Sequence, residues 1–232
     1  MSMHEVPDIF LEYAENLKNP VIADIGSRDA TEGLYLYKKL KASALHIFEP
    51  NPQAIKLCKK NISEQSTDGN IFLNEIALSS EPGEVSFYPV NQELSERNDI
   101  GLSSMLKVNP KYTKRRGSIE QDKITVSAST ADIYFNGKIA PEIIWMDVEG
   151  AELMVLNGAI NTLRSVELIY IEVSFRPMHI GKPLFWEINQ FLVGHGFKLA
   201  CLVGVSRLKS FLLRHKLLPN LPWRMNAIYV KK

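Results

Sequence analysis

Three carboxylates, Asp147, Glu149 and Glu152, crowd into Trp145-Met-Asp-Val-Glu-Gly-Ala-Glu152, where an apolar run passes into a helical pattern. Burying such charges is costly unless they are paired or bound to a cation. Asp147 falls at the tip of the apolar run, the place from which an α/β sheet offers groups to a ligand. Glu149 and Glu152 also have a plainer reading, as acids favouring the positive end of the following helix. Glu172, inside the apolar run 168–173, would join Asp147 and Glu149 in an oxygen-rich site for Mg²⁺ or act as a general base. His179, just beyond that run, titrates in the range of a base for a hydroxyl. Its plainer reading is an incidental loop histidine.

A second constellation lies near the N-terminus. Residues 21–33 read VIADIGSRDATEG, an apolar strand that ends in an acid, a glycine and a small polar loop leading into a helix. Gly26 lacks a Cβ, so the backbone there can turn tightly and be approached closely. Asp24 would tie down that turn or reach the cationic end of a ligand. Glu49 closes the next apolar run, 25 residues after Asp24, near the spacing of about 20 at which an acid grips ribose hydroxyls. Pro50 and Asn51 shape the turn beneath it. Glu75, Ile76 and Ala77 close a third run, where such a sheet offers groups to an adenine.

The elements that must position these residues follow from the pattern of runs. Strand-like stretches at 21–26, 44–48, 71–78, 143–146 and 168–173 alternate with helix-like ones at 31–40, 52–62, 151–163 and 184–194. The strands are short apolar runs without strict alternation, as expected of a parallel sheet covered on both faces. Residues 84–90 and 123–128 read as strand pieces at an edge, and 197–203 and 225–230 as a closing pair. An apolar stripe over 8–18, closed by Pro20, predicts an N-terminal helix. Repeated β-α-β order implies a doubly wound α/β sheet with ligands bound beyond its carboxyl ends. No linker divides the chain, so 1–232 is expected to form one domain. Two polar, basic stretches, 91–122 and 205–223, interrupt it as expected lids, binding loops or interface segments. The second has the pattern of an amphipathic helix.

Composition excludes several classes. The 27 basic and 26 acidic residues nearly cancel, so no global field recruits nucleic acid. No run reaches the roughly 18 apolar residues that would span a bilayer, and no secretory signal is visible, so a cytoplasmic protein is expected. Cys58 and Cys201 fall in apolar patterns and read as buried thiols of a reducing compartment. Motifs for structural zinc, metalloprotease, P-loop or nucleophile-elbow chemistry are absent from the sequence.

Taken together, DIGSRDATEG, HIFEPNPQAIKLCKKNI, NEIALSS, GLSSML, IIWMDVEGAELMVLNGA and IYIEVSF resemble the FkbM-type S-adenosylmethionine-dependent methyltransferases, a class I family. The resemblance runs from about residue 21 to 175. It implies a mostly parallel seven-stranded sheet with an antiparallel last strand, and methyl transfer to an oxygen. It implies that Asp24, Gly26, Ser27 and Arg28 line the methionine end of S-adenosylmethionine, that Glu49 holds the ribose with Pro50 and Asn51 beneath it, and that Glu75, Ile76 and Ala77 flank the adenine. Asp147–Gly150 would lie beside the methyl and the acceptor, with Ser103 and Ser104 above, and Glu149, Glu172 and His179 as further catalytic candidates. The acceptor would be a small molecule or glycan, with a homodimer as a further expected partner. Ala30 stands where many such proteins have a second glycine. A nicotinamide-dependent oxidoreductase shares the first turn and the ribose acid, though Gly26-x-x-x-Ala30-x-x-Gly33 does not match GxGxxG; a cofactor-binding subunit without catalysis is a second alternative.

Overall fold

A computed structural model describes residues 6–65, 69–96, 99–113, 117–204 and 222–232. Its elements are, in chain order, α1 (Asp8–Ala14), β1 (Val21–Ile25), α2 (Thr31–Lys39), β2 (Ala44–Phe48), α3 (Pro52–Gln65), β3 (Ile71–Asn74), β4 (Ala77–Leu78) and β5 (Gly83–Phe87). There follow α4 (Pro110–Thr113), β6 (Ile124–Ser129), α5 (Ala131–Tyr134), β7 (Ile143–Met146), α6 (Glu152–Asn157), β8 (Leu168–Ser174), α7 (Phe185–Gly194), β9 (Phe197–Leu202) and β10 (Arg224–Lys231). Seven strands form one sheet in the order β3-β2-β1-β7-β8-β10-β9. The pairs from β3 through β8 are parallel, while β10 runs antiparallel to both its neighbours.

Every residue of β1, β7 and β8 is buried, because apolar clusters cover both faces. Ile25, Met146 and Ile171 point into one cluster with α6 and α7, and Ile22, Trp145 and Tyr170 into the other with α1 and α2. Phe10 of α1 meets Trp145 and Tyr170 edge-on, at 5.2 and 5.8 Å between ring centroids. That contact closes the sheet face beside the strand tips.

Several sequence expectations change in detail. The run at 71–78 is two strands, because pairing with β2 ends at Asn74 and Ala77–Leu78 pairs with β6 instead. The pieces near 84–90 and 123–128 do not extend the main sheet; β4, β6 and β5 make a separate three-stranded one. The helix expected over 151–163 stops at Asn157, where Gly158 is crowded by the Ser79 carbonyl, 2.0 Å from where a Cβ would be. Cys201 is only half-buried, whereas Cys58 is buried. Most of the amphipathic stretch at 205–223 lies outside the described residues.

Gly26 is needed by the chain itself. Its φ is +80°, and a Cβ there would lie 2.1 Å from the carbonyl oxygen of Asp147, because β1 and β7 are neighbours. Ala30 keeps a left-handed conformation, φ 68°, at the start of α2. The missing glycine therefore leaves the turn in the backbone shape a glycine would adopt, at a strain cost of order 1 kcal/mol.

Gly26→Ala should lower the urea midpoint by the equivalent of about 3 kcal/mol or more, since strain and overlap add. Gly196→Ala, with a similar φ of +86° but only a lysine tip at 3.9 Å, should cost only about 1 kcal/mol. Equal losses would contradict the close approach of the two strands.

Candidate functional site

Two adjoining chambers open at the carboxyl ends of β1, β2, β7 and β8. The first is walled by Phe48, Glu49, Pro50 and Asn51 after β2 and by Ile76, Ala77 and Leu78 from the third run. The second, about 490 Å³, falls in the size range of small-molecule sites. Asp24, Ser27, Trp145, Tyr170, Glu172 and Arg224 line it. Gly26, Arg28, Gly101, Asp147 and Glu149 line both. Asp147 therefore stands where the chambers meet.

Backbone N–H groups hold the first two acids in place. Glu49 accepts from the N–H of Arg28 at 2.9 Å through one oxygen and from that of Asn51 at 2.8 Å through the other. Burial pushes its carboxyl up to about 7, against these hydrogen bonds. Asp24 accepts a short hydrogen bond, 2.5 Å, from the Ser27 hydroxyl. Gly33 makes room for it, since a Cβ there would sit 2.4 Å from Asp24 Oδ2. Burial raises Asp24 to about 8, outweighing the Ser27 hydrogen bond.

The other carboxylates gather at the ends of β7 and β8. Arg224, at the start of β10, reaches Glu149 at 2.6 Å and Glu172 at 2.8 Å through one nitrogen. Lys182 places its ammonium 2.9 Å from Glu172, 3.8 Å from Glu149 and 3.9 Å from Glu152. Burial pushes Glu172 upward, but these two cations overcome it and hold the carboxyl below its ordinary range. Glu149 is raised to about 7 by burial and by the charge of Glu172. Asp147 is raised well above the carboxylate range, first by burial and then by Glu172 and Glu149. Its Oδ1 is buried with no hydrogen-bond partner among the described residues. Glu149 also adopts φ 49°, so backbone strain collects in the same few residues.

This arrangement corrects three expectations. Asp147, Glu152 and Glu172 bring carboxylate oxygens within 4.8 Å of one another, but the Lys182 ammonium already stands 2.9 Å from Glu172 and 3.9 Å from Glu152, so a cation of the chain's own occupies the oxygens a divalent ion would need. His179 is fully buried and lines neither chamber; its Nε2–H donates to the Leu102 carbonyl at 3.2 Å. Burial and the neighbouring Lys182 lower it to about 4, so it holds the 100–104 loop rather than facing an acceptor. Glu75 points outward to Lys59 at 2.5 Å, while Ile76 and Ala77 remain in the first chamber. Ser103 lines that chamber, and Ser104 caps the turn below it by accepting from Leu106 N–H at 3.0 Å.

Arg224 and Lys182 carried no signal in the sequence. Each needs the folded chain to reach the acids, 75 and 33 residues from Glu149 respectively. The stacked pair Trp145 and Tyr170, 3.7 Å between centroids, looked like ordinary core but forms a wall of the second chamber.

A family model described as the Methyltransferase FkbM domain matches residues 24–199. The chain is 28% identical over 167 residues to 2-O-methyltransferase NoeI of Sinorhizobium fredii, covering 71% of this chain and 67% of that protein. It is 28% identical over 169 residues to hexuronic acid methyltransferase AglP of Haloferax volcanii, covering 73% of this chain and 61% of that protein. Its fold is similar to that of precorrin-6y C5,15-methyltransferase from Geobacter metallireducens, with TM-score 0.52, 12% identity and coverage of 100% of this chain and 90% of that one. Magnesium protoporphyrin IX methyltransferase from Synechocystis PCC 6803, solved with S-adenosylmethionine bound, gives TM-score 0.51 at 8% identity, covering 97% and 77%. No helix among the described residues is long and apolar enough to cross a membrane.

Between about pH 4 and pH 8 the folded chain holds a proton on Asp24 that the unfolded chain has lost. Stability must therefore fall as pH rises through that window and level off above it. Asp24→Asn removes this contribution, so its melting temperature should gain on the wild type with rising pH, by the equivalent of about 1 kcal/mol or more at pH 8. A difference that stays flat from pH 5 to 9 would refute the buried, protonated carboxyl.

Proposed function

The chain belongs to the FkbM methyltransferase family, and we propose that it uses S-adenosylmethionine to methylate a hydroxyl of a sugar-like acceptor. One observation carries this reading: Asp147, with a buried oxygen that has no partner among the described residues, stands where the two chambers meet. The sugar is supported by the names of two relatives, a 2-O-methyltransferase and a hexuronic acid methyltransferase. We read the whole chain as one such domain, with residues 91–122 helping to choose the acceptor.

The residues present fit the cofactor. Ile76 and Ala77 would flank its adenine, and Glu49 would accept from the ribose hydroxyls. Both Glu49 oxygens are fixed by backbone N–H groups and each keeps a lone pair for a hydroxyl. Asp24, Ser27 and Arg28 would hold the methionine end. When bound, S-adenosylmethionine supplies a methyl on a sulfonium, so that the O–CH₃ bond forms as the S–CH₃ electron pair returns to sulfur. The chain's own task is alignment and removal of one proton. Asp147 in its ionised form takes that proton, with an affinity raised by burial beside Glu149 and Glu172. Gly101 and Ser103 cover the first chamber and exclude water from it. No metal enters this reading, because Lys182 and Arg224 already stand against Glu149, Glu152 and Glu172.

Asp147→Asn should cut labelled-methyl transfer to a panel of glycosides by roughly 10²–10⁴-fold while leaving S-adenosylhomocysteine binding within a few-fold of wild type. Undiminished transfer would end the proton-acceptor assignment. Glu49→Ala should instead weaken S-adenosylhomocysteine by about tenfold or more in calorimetry, the worth of a charge-assisted hydrogen bond. An unchanged dissociation constant would remove Glu49 from the ribose site.

A further inference from the structure

A fully buried ammonium sits behind the reacting carboxylates. The segment after β8 folds back to deliver it: the Asn109 N–H donates to the Met178 carbonyl at 2.7 Å and the Ile180 N–H to that of Lys107 at 2.8 Å. Gly181 then takes φ +80°. The stem of Lys182 crosses Gly150, where a Cβ would come within 3.2 Å of its Cγ. Its Nζ ends among Glu172, Glu149 and Glu152. Lys182 lines neither chamber, so it reaches the chemistry only through other side chains. Glu149 and Glu172 line the second chamber and flank Asp147.

We propose that Lys182 is a positioning residue for methyl transfer, holding Glu172 ionised and Glu149 oriented beside Asp147 so that Asp147 is the carboxylate that receives the acceptor's proton. This rests on the reading of Asp147 given above. The physical reason is that a buried cation favours the charged form of the carboxylates it touches, and each of these charges makes a proton on a third carboxylate more favourable, an effect that outweighs the direct opposing pull of Lys182 and Arg224 on Asp147. Every element packed on the cluster contributes. Glu149 comes from the turn after β7, Glu152 from α6, Glu172 and the neutral phenol of Tyr170 from β8, Lys182 and the neutral His179 from the loop beyond, and Arg224 from β10. The proton leaves the acceptor hydroxyl for Asp147 as the O–CH₃ bond forms, and no further reactant is required.

The test is infrared titration of protonated carboxyl groups in the full chain, with Asp147→Asn identifying the band of Asp147. In Lys182→Met, additional protonated carboxyls should appear near neutral pH as Glu152 loses its cation and Glu149 and Glu172 are left with Arg224 alone. Lys182→Arg should restore the wild-type spectrum in large part. Glu152→Gln, which removes a charge instead, should shift the remaining carboxyls to lower pH, and it decides the matter if the methionine variant does not fold. Shifts of opposite sign are not what general damage to the fold produces. A folded Lys182→Met chain with an unaltered count of protonated carboxyls, or a Glu152→Gln chain with no downward shift, would overturn the proposal. Calorimetry with S-adenosylhomocysteine separates the two claims: its dissociation constant should stay within about threefold in Lys182→Met, a change under about 0.7 kcal/mol. Absence of binding to the wild type would sink the cofactor reading while leaving the carboxyl titration to decide the role of Lys182.

Discussion

Four carboxylates and two cations meet at the ends of β7 and β8, and the rest of the site is arranged around their mutual attraction. Glu149, Glu152, Glu172 and Lys182 are all buried, so none of them can rely on water to stabilise its charge. Removing one partner from such a cluster typically costs about 3–5 kcal/mol, because the opposite charge is left buried alone. That penalty ties together parts of the chain with no other reason to be adjacent. The turn after β7, the start of α6, the middle of β8, the loop that carries Lys182 and the start of β10 must all arrive at one point. With two cations against four acids, the cluster is left short of positive charge. Asp147, which has no ion-pair partner among the described residues, is where that shortage is felt, as a raised proton affinity.

A second constraint sets where the chambers lie. Because β1 and β7 pair in register from Ile22 with Ile143 to Ile25 with Met146, the turns that follow them press together. Gly26 and Asp147 touch through their backbones, so the border between the two chambers is built from main chain. Left-handed residues collect beside it, at Arg28, Ala30 and Glu149. Strain of this kind persists only where surrounding packing over-determines it, and both sheet faces here supply such packing. Phe10 and the Trp145–Tyr170 stack brace one side, and Met146 and Ile171 the other.

Much of this was legible in the sequence because it is local. Apolar runs ending in Asp24, Glu49 and Asp147 mark strand tips, and strand tips of a doubly wound sheet face its crevice. The seven-stranded sheet and its antiparallel last strand followed from resemblance and are found in the structure, and the match over residues 24–199 shows the family. That match also removes the oxidoreductase alternative. What could not be read was long-range. Lys182 and Arg224 look like ordinary surface cations until β10 pairs with β8 and the loop after β8 folds onto residues 107–109, which brings both cations to the acids. Glu75 and His179 had suitable chemistry but the wrong direction. Glu75 falls where the chain leaves one sheet for another, and His179 falls in a loop whose backbone pairs with Val108. The division of strand three at Asn74 depends on pairing with β6, some fifty residues later, and local pattern carries no trace of it.

A crystal structure of the chain with S-adenosylhomocysteine would test the central claim most directly. The account predicts the ribose hydroxyls on Glu49, the adenine beside Ile76 and Ala77, the sulfur at the border next to Asp147, and Lys182 still seated among Glu149, Glu152 and Glu172. A nucleoside bound away from Glu49, or a sulfur facing a chamber wall remote from Asp147, would contradict it.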